Sequence, residues 1–109
     1  MVVTYQHNFL AHDSDAADPV GRCYVARRHG VNWLCEIIVD EVYRHQGHGT
    51  ALVRAAQAAY ADRGGLCVLV WAHGGSPLSD EELTNWYGRL GFRPTECPGV
   101  MQWKGEPQK

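Results

Sequence analysis

The sequence predicts an α/β domain of the α+β type, with a mixed central sheet and the element order β-β-β-α-β-α-β. Strand-like segments fill most of the first 39 residues, two later stretches carry apolar residues at helical spacing, and a short apolar run lies between them. The connection from the third strand through the first helix to the fourth strand is expected to be a right-handed parallel crossover. A chain of 109 residues is long enough for one hydrophobic core.

The three opening strands are predicted at residues 2–10, 21–28 and 33–39. The first begins with β-branched and aromatic residues, and residues 28–32 have the composition of a hairpin turn. The third strand is a near-continuous apolar run, which is typical of a strand buried on both faces. Glu36 is its one charged residue.

The next predicted elements are a helix and an interior strand. Apolar residues recur at helical spacing from Gly49 to Tyr60, and the pair Gly64 and Gly65 ends this helix. The apolar run at 66–71 is short enough for an interior strand.

The second helix is predicted from a capping box, because Ser79 is followed three residues later by Glu82. Its apolar stripe consists of Leu83, Trp86, Tyr87 and Leu90. A last strand or hairpin is predicted within 92–104. The sequence therefore predicts a single domain over residues 1–104 and a short C-terminal tail over 105–109.

Composition narrows the classes of partner. The formal net charge is −2, and a protein that binds the phosphate backbone normally carries a basic excess, so no nucleic-acid partner is expected. No apolar run approaches the roughly 18 residues of a membrane helix, and the first residues do not resemble a signal peptide. The cysteine and histidine spacings match no zinc site. We expect a cytoplasmic protein with no membrane partner and no metal.

A glycine-punctuated loop follows the third strand and leads into the first helix. Backbone N–H groups at a helix start lack internal partners, and the helix dipole favours an anion there. Gly47 and Gly49 remove side chains that would keep a phosphate away from the main chain, and Arg44 adds a charged donor. The loop predicts a pyrophosphate cradle. The alternative is an ordinary glycine-rich turn between a strand and a helix.

Two motifs carry a resemblance to a known family. Arg44-x-x-Gly47-x-Gly49 resembles the R/Q-x-x-G-x-G/A signature of the GNAT N-acetyltransferases, and residues 86–92, Trp-Tyr-Gly-Arg-Leu-Gly-Phe, are similar to that family's L-Y-x-x-L-G-F segment. The motifs occur in the family's order and are separated by one strand. The resemblance covers residues 33–103. It implies a GNAT-like sheet in which the strands at 33–39 and 66–71 diverge to form a V-shaped slot.

The resemblance also implies acetyl-CoA as the cofactor. Its pantetheine is expected to pair with the end of the third strand, and its diphosphate is expected on the loop. The side chains of His45 and His48 either approach the phosphates or form a solvated pair. The cofactor-binding residues implied in this way are Ile37, Ile38, Val39, Arg44, His45, Gln46, Gly47, His48, Gly49 and Thr50.

Two residues are implied as catalytic. Tyr87 matches the tyrosine that gives the family's leaving thiolate a proton, although it also lies on the apolar stripe of its helix. Glu36 is the candidate general base. It lies three positions before Val39, so a regular strand puts it on the opposite face, and a bulge would re-aim it. The alternative role of Glu36 is a polar residue paired at a sheet face, and His73 is the second candidate base.

The chain lacks room for the strand and two helices that usually begin the family's fold. The resemblance therefore implies a minimal, truncated member, similar to small phage-encoded acetyltransferases. Its expected activity is transfer of an acetyl group from acetyl-CoA to an amine, either a protein lysine or a small amine, by direct attack on the thioester. The alternative is a non-catalytic module that holds CoA and binds a protein partner. A homodimer, served by exposed aromatic residues such as Trp103, would rebuild the missing wall.

Overall fold

The computed structural model describes residues 1–70 and 78–105. Its elements, in chain order, are β1 (Val2–Tyr5), β2 (Asn8–Ala11), β3 (Gly21–Arg28), β4 (Val31–Val39), a 3-10 helix (Glu41–Tyr43), α1 (His48–Tyr60), β5 (Leu66–Leu69), α2 (Asp80–Arg89), β6 (Arg93–Pro94) and β7 (Val100–Trp103). The strands form one sheet in the order β1-β2-β3-β4-β5-β7-β6. The β4–β5 pair is parallel and the other neighbours are antiparallel, which confirms the predicted α+β class and mixed sheet.

One predicted strand is a hairpin, and the segment predicted as a last strand or hairpin is also a hairpin. The segment 2–10 turns back on itself, with Tyr5 opposite Asn8 and Gln6 at a backbone φ of +57°. The segment 92–104 contains β6 and β7, which pair with each other. The observed order is therefore β-β-β-β-α-β-α-β-β. Glutamine and histidine are not usual turn residues, so composition gave no signal for the first turn.

One face of the sheet forms the hydrophobic core. Alternation along β2, β3 and β5 buries Phe9, Cys23, Val25, Leu66 and Val68 on this face. Helix α1 covers it with a buried stripe that consists of Leu52, Val53, Ala56, Gln57 and Tyr60. No helix in the described part of the chain is long and apolar enough to span a membrane.

Gln57 is a buried polar residue within that stripe. Its side-chain amide donates to the Leu90 carbonyl at 2.8 Å, and its amide oxygen accepts from Arg54 at 3.2 Å. Leu90 follows the last residue of α2. Gln57 therefore joins α1 to the end of α2, and both of its polar atoms have partners despite burial.

The expectation that Trp103 is an exposed aromatic residue is wrong. Its side chain is only 9% exposed and belongs to the core. It packs beneath Gly91, where an added Cβ would lie 3.3 Å from the Trp103 ring. Residues alternate along β7, so Met101 and Trp103 turn inward together. Trp103 is thus not available as part of a dimer surface.

The four cysteines are free thiols, and Cys23 is the buried one. Burial, with a smaller contribution from the charge of Cys35, raises the pKa of Cys23 to about 12. Within residues 1–70 and 78–105, no three His, Cys, Asp or Glu side chains form a group that would hold a metal ion.

Candidate active site

Strands β4 and β5 separate soon after they meet. Over the described residues they pair at Trp33 and Cys67 alone, although β4 continues to Val39. A cavity of about 670 Å³, called the slot below, opens between them and reaches α2. Its walls are formed by Tyr24, Ala26, Arg28, Trp33, Leu34, Cys35, Glu36, Ile37, Ile38, Leu69, Leu83 and Tyr87.

A β-bulge places Glu36 at the rim of the slot. Strand β3 pairs Tyr24 with Cys35 and Arg22 with Ile38, so β4 contains one residue more than β3 over this interval. Glu36 takes up the bulge with a backbone φ of +53°. Without the bulge, Glu36 would lie on the core face with Leu34. With it, Glu36 is exposed, on the side of the strand opposite Ile37, which packs against the core.

Tyr24 also lines the slot, and neighbouring ionisable groups change its pKa. Its pKa is raised, first by Cys35 and next by Glu36, whose ionised forms disfavour ionisation of the phenol, while the Arg28 guanidinium lowers it. The Cys35 thiol itself donates to the Trp33 carbonyl at 3.4 Å. The rim therefore combines a carboxylate, that of Glu36, with the guanidinium of Arg28, which also lines the slot.

Tyr87 lies on the α2 side of the slot. Its ring is 7% exposed and packs edge-on against Phe92, with ring centroids 5.4 Å apart. Burial, with a smaller contribution from the charge of Cys23, raises the pKa of Tyr87 well above its usual value of 10. Its hydroxyl forms no hydrogen bond with a described residue. Tyr87 is therefore a protonated phenol in the wall of the cavity that Glu36 also lines.

A second cavity, called the loop cavity below, adjoins the slot at the end of β4. Its volume is about 490 Å³. One wall is the strand end and the predicted loop, formed by Val39, Tyr43, Arg44, His45, Gly47, His48, Gly49 and Thr50. The other wall is α2 and the residues before it, formed by Leu78, Glu82, Asn85, Trp86 and Arg89.

The N-terminus of α1 opens into the loop cavity. Gly47 precedes the helix with a φ of +88°, no side chain caps the first turn, and the turn carries no acidic residue. A Cβ on Gly49 would lie 3.5 Å from the Trp86 ring, inside the cavity. The unpaired N–H groups of this turn and the positive end of the helix dipole are therefore available to an anion.

Arg44 is positioned beside those N–H groups. Its Nε donates to the Val39 carbonyl at 3.0 Å, which fixes the guanidinium at the end of β4. A guanidinium has five donors, so the two terminal nitrogens remain for a ligand in the loop cavity. The arrangement suits a phosphate or diphosphate.

The two loop imidazoles have different surroundings. His48 Nε2 lies 3.1 Å from Asp13 Oδ2, and its ring meets Tyr43 edge-on. A hydrogen bond from the Asp15 backbone N–H, followed by the contact with His48, lowers the pKa of Asp13. The His48 side chain is thus tied to the β2–β3 loop and offers a ligand its backbone N–H. His45 is exposed and lines the loop cavity.

The structure brings most of the predicted site residues to one continuous region. Ile37 and Ile38 line the slot, and Val39 lines the loop cavity. Gln46 is exposed and lines neither cavity. His73 lies outside the described residues.

Helix α2 contributes a wall that the sequence analysis did not assign to the cofactor site. Asn85, Trp86 and Arg89 line the loop cavity together with Glu82. Their spacing of three and four residues places them on one helix face, beside the motif that contains Tyr87. The sequence shows this spacing, but it does not show that this face of α2 lies opposite the loop and the start of α1.

Comparisons with known proteins identify the family. Residues 5–94 match the acetyltransferase (GNAT) domain family, and the chain belongs to that family. The mycothiol acetyltransferase of Clavibacter sepedonicus is 42% identical over 71 residues, which are 64% of this chain and 21% of that protein. The chain thus spans about a fifth of the length of this curated relative.

Solved structures share the fold at low sequence identity. A GNAT family acetyltransferase from Elizabethkingia anophelis with acetyl-CoA bound superposes with a TM-score of 0.68 at 16% identity, over 89% of this chain and 74% of that one. The anti-CRISPR protein AcrVA5 superposes with a TM-score of 0.66 at 14% identity, over 95% of this chain and 97% of that one. The sheet and the two helices therefore belong to a shared fold.

Proposed function

We propose that the protein is an acetyl-CoA-dependent N-acetyltransferase that acts on a primary amine. The observation that carries the proposal is the adjacency of the open α1 N-terminus, which suits phosphates, to a slot lined by a protonated tyrosine and a carboxylate. A phosphate-bearing carrier held at the first site reaches the second along the end of β4. The GNAT family match and the acetyl-CoA bound to the Elizabethkingia anophelis protein support this choice of carrier.

The donor set of the loop cavity fits coenzyme A. Backbone N–H groups at residues 47–50 and the terminal nitrogens of Arg44 would hold the diphosphate. The end of β4, which β5 leaves unpaired, would hold the pantetheine amides through its backbone. When bound, acetyl-CoA supplies an acetyl group activated as a thioester.

Tyr87 would supply the proton for the leaving thiolate. Its raised pKa keeps the phenol protonated at neutral pH, and its hydroxyl is not committed to another described residue. Helix α2 and the Phe92 ring hold its position. Positioning of an acid in this way typically accelerates a reaction by about 100-fold to 10,000-fold.

Glu36 would accept the proton that the amine must lose. An alkylammonium has a pKa near 10.4 and cannot attack while it is protonated. The bulge presents the Glu36 carboxylate at the slot, opposite α2, and the slot also carries the aromatic rings of Tyr24 and Trp33, which attract a cation. Glu36 therefore both attracts the ammonium and removes its proton, directly or through one water.

The acceptor that suits this slot best is a protein lysine. Ile38 and Leu69 are 41% and 51% exposed on the side of the sheet away from α1, so the slot is reached directly from solvent. A long, flexible amine on a macromolecule can enter such a site without full enclosure. The AcrVA5 structure, of which this chain covers 97%, has the same fold at a similar size.

Two measurements test the proposal together. Excess acetyl-CoA, at about 100 times its Kd, should stabilise the fold by about 2.7 kcal/mol and raise Tm by about 10 °C. Thiol release in the presence of lysine peptides should then follow, and Tyr87→Phe should lower kcat by about 100-fold with little change in the KM for acetyl-CoA. Phenylalanine retains the packing against Phe92, so the variant should melt like the wild type.

The outcomes separate the alternatives. No shift in Tm would contradict the cofactor assignment. A full shift with no thiol release for peptide or small amines would favour the non-catalytic module that holds CoA and binds a partner. Unchanged turnover in Tyr87→Phe, with Glu36→Gln inactive, would remove Tyr87 as the acid but keep the reaction.

A further inference from the structure

A cleft beside the loop cavity concentrates positive charge. It has a volume of about 640 Å³ and lies between α1, the end of α2 and the β6–β7 hairpin. Four basic side chains line it: Arg54, Arg89, Arg93 and Lys104. They are four of the ten Lys and Arg residues of a chain whose formal net charge is −2. None of the described residues that line this basic cleft is Asp or Glu.

The charges of the basic cleft are not neutralised by described residues. Arg89 and Lys104 form no hydrogen bond or ion pair within residues 1–70 and 78–105. Arg54 donates to the Gln57 amide oxygen, and Arg93 donates to the carbonyls of Gly88 and Phe92. All four side chains are exposed. Like charges held together without acids favour the binding of an anion.

The basic cleft continues the proposed cofactor site. Arg89 lines both the loop cavity and the basic cleft. Arg54 lies four residues after Thr50 on α1, so it follows Thr50 on the same helix face, about 6 Å further along the axis. A ligand with phosphates at the start of α1 therefore meets Arg54 and Arg89 one helical turn later.

We propose that Arg54 and Arg89 bind the 3′-phosphate of coenzyme A and make the protein select CoA over 3′-dephospho-CoA. In coenzyme A, a single ribose separates the diphosphate from this third phosphate, which matches a separation of one helical turn. A phosphate monoester carries nearly two negative charges at neutral pH, and a guanidinium binds it in a bidentate geometry. The inference rests on the proposed function, because it requires the diphosphate in the loop cavity.

Calorimetric titration with CoA and with 3′-dephospho-CoA tests the assignment. The wild type should bind CoA about tenfold more tightly or better, as expected for a hydrogen-bonded charge pair. Arg54→Gln should bring the ratio of the two Kd values close to one, with the Kd for 3′-dephospho-CoA unchanged. Arg89→Gln should reduce the same ratio. Arg63→Gln removes an equal charge at the far end of α1, where Arg63 stacks on Tyr60, and should leave the ratio at its wild-type value.

Equal affinities for the two ligands in the wild type would overturn the inference and leave the proposed function intact. So would an Arg54→Gln variant that weakens both ligands equally, because the side chain would then act on the shared diphosphate. Failure of the folded wild type to bind either ligand would instead contradict the proposed function itself.

Discussion

The two helices begin in opposite ways. At the start of α2, the Ser79 hydroxyl accepts from the Glu82 backbone N–H at 3.1 Å, and the Glu82 carboxylate accepts from the Ser79 backbone N–H at 2.9 Å. Three acidic residues also occupy its first turn. At the start of α1, Gly47 provides no side-chain cap and the first turn carries no acid. Helix α2 satisfies its own N-terminus, whereas α1 leaves its N-terminus open.

This difference has a cost that ligand binding offsets. Compared with a glycine at the same position, a side-chain cap stabilises a helix by roughly a few tenths of a kcal/mol, and an acid in the first turn adds about 0.3–1 kcal/mol. Helix α1 gives up both contributions, and a bound phosphate restores them through the same N–H groups. An uncapped helix start beside an arginine fixed by a backbone carbonyl is therefore a functional feature, whereas the capped start of α2 is a structural one.

The largest expected effect comes from closing the open start with a bulky side chain. Gly49→Val places methyl groups between the backbone N–H groups and the cavity, so the affinity for CoA should fall by about 100-fold or more, a loss of about 2.7 kcal/mol. Calorimetry with CoA measures this directly.

Gly49→Ala serves as the control for folding. Its Cβ would contact Trp86 at an ordinary distance of 3.5 Å, so this variant should melt like the wild type and show an intermediate affinity. Normal CoA binding by Gly49→Val would mean that α1 is only a structural helix, and the contrast with α2 would lose its meaning.

Giving α1 the acidic first turn of α2 should have the next largest effect. Thr50→Asp puts a carboxylate where the dipole favours it, so Tm of the free protein should rise by a few degrees. The same charge repels the phosphates, so the affinity for CoA should fall about tenfold. Thr50→Asn, which is uncharged and of the same shape as Asp, should show neither change. A higher Tm together with a weaker CoA affinity in Thr50→Asp would support the contrast between the two helix starts. A change of both in the same direction would contradict it.

Sequence reasoning predicted features that neighbouring residues encode. The capping box needs only Ser79 and Glu82, and the glycines of the loop mark the α1 start, so both were visible without a structure. The turn at Gln6 was not predicted, and the bulge at Glu36 was named only as the condition that would re-aim this side chain. Each places an ordinary residue at positive φ, and composition does not signal this.

Features that depend on tertiary packing were also beyond the sequence. Arg54 and Arg89 are 35 positions apart, and they share a cleft at the place where the Gln57 amide joins α1 to the end of α2. The burial of Trp103 follows from alternation along β7 once that strand is placed in the sheet. The segment 92–104 is interrupted by prolines and a glycine, so its sequence did not fix the position of that strand.

Removing the cap of α2 should have a smaller effect, confined to stability. Ser79→Ala should lower the free energy of unfolding by about 1 kcal/mol and Tm by about 4–8 °C. Ser79 lines neither the slot nor the loop cavity, so the Kd for CoA of the folded protein should stay within about twofold of the wild-type value. Ser79→Thr keeps the hydroxyl and should recover most of the loss. A large change in CoA affinity in Ser79→Ala would show that the two helix starts do not act independently.

The smallest effect concerns Asp13, which brings a negative charge to the start of α1 from another loop, through His48. The folded-state pKa of Asp13 lies below its ordinary value of 3.8, so its charge stabilises the fold above that pH, and the contribution is lost as pH falls through the folded pKa. Melts of the wild type and of Asp13→Asn should therefore differ near pH 6 and converge well below pH 3.8. Asp15→Asn removes an equal charge from the same loop, so the difference between the two variants measures what Asp13 contributes through its own two contacts, the hydrogen bond from the Asp15 backbone N–H and the contact with His48. If the difference in Tm between wild type and Asp13→Asn persists into strong acid, the effect comes from the shape of the side chain and not from its charge. Asp13 would then supply no negative charge to the start of α1.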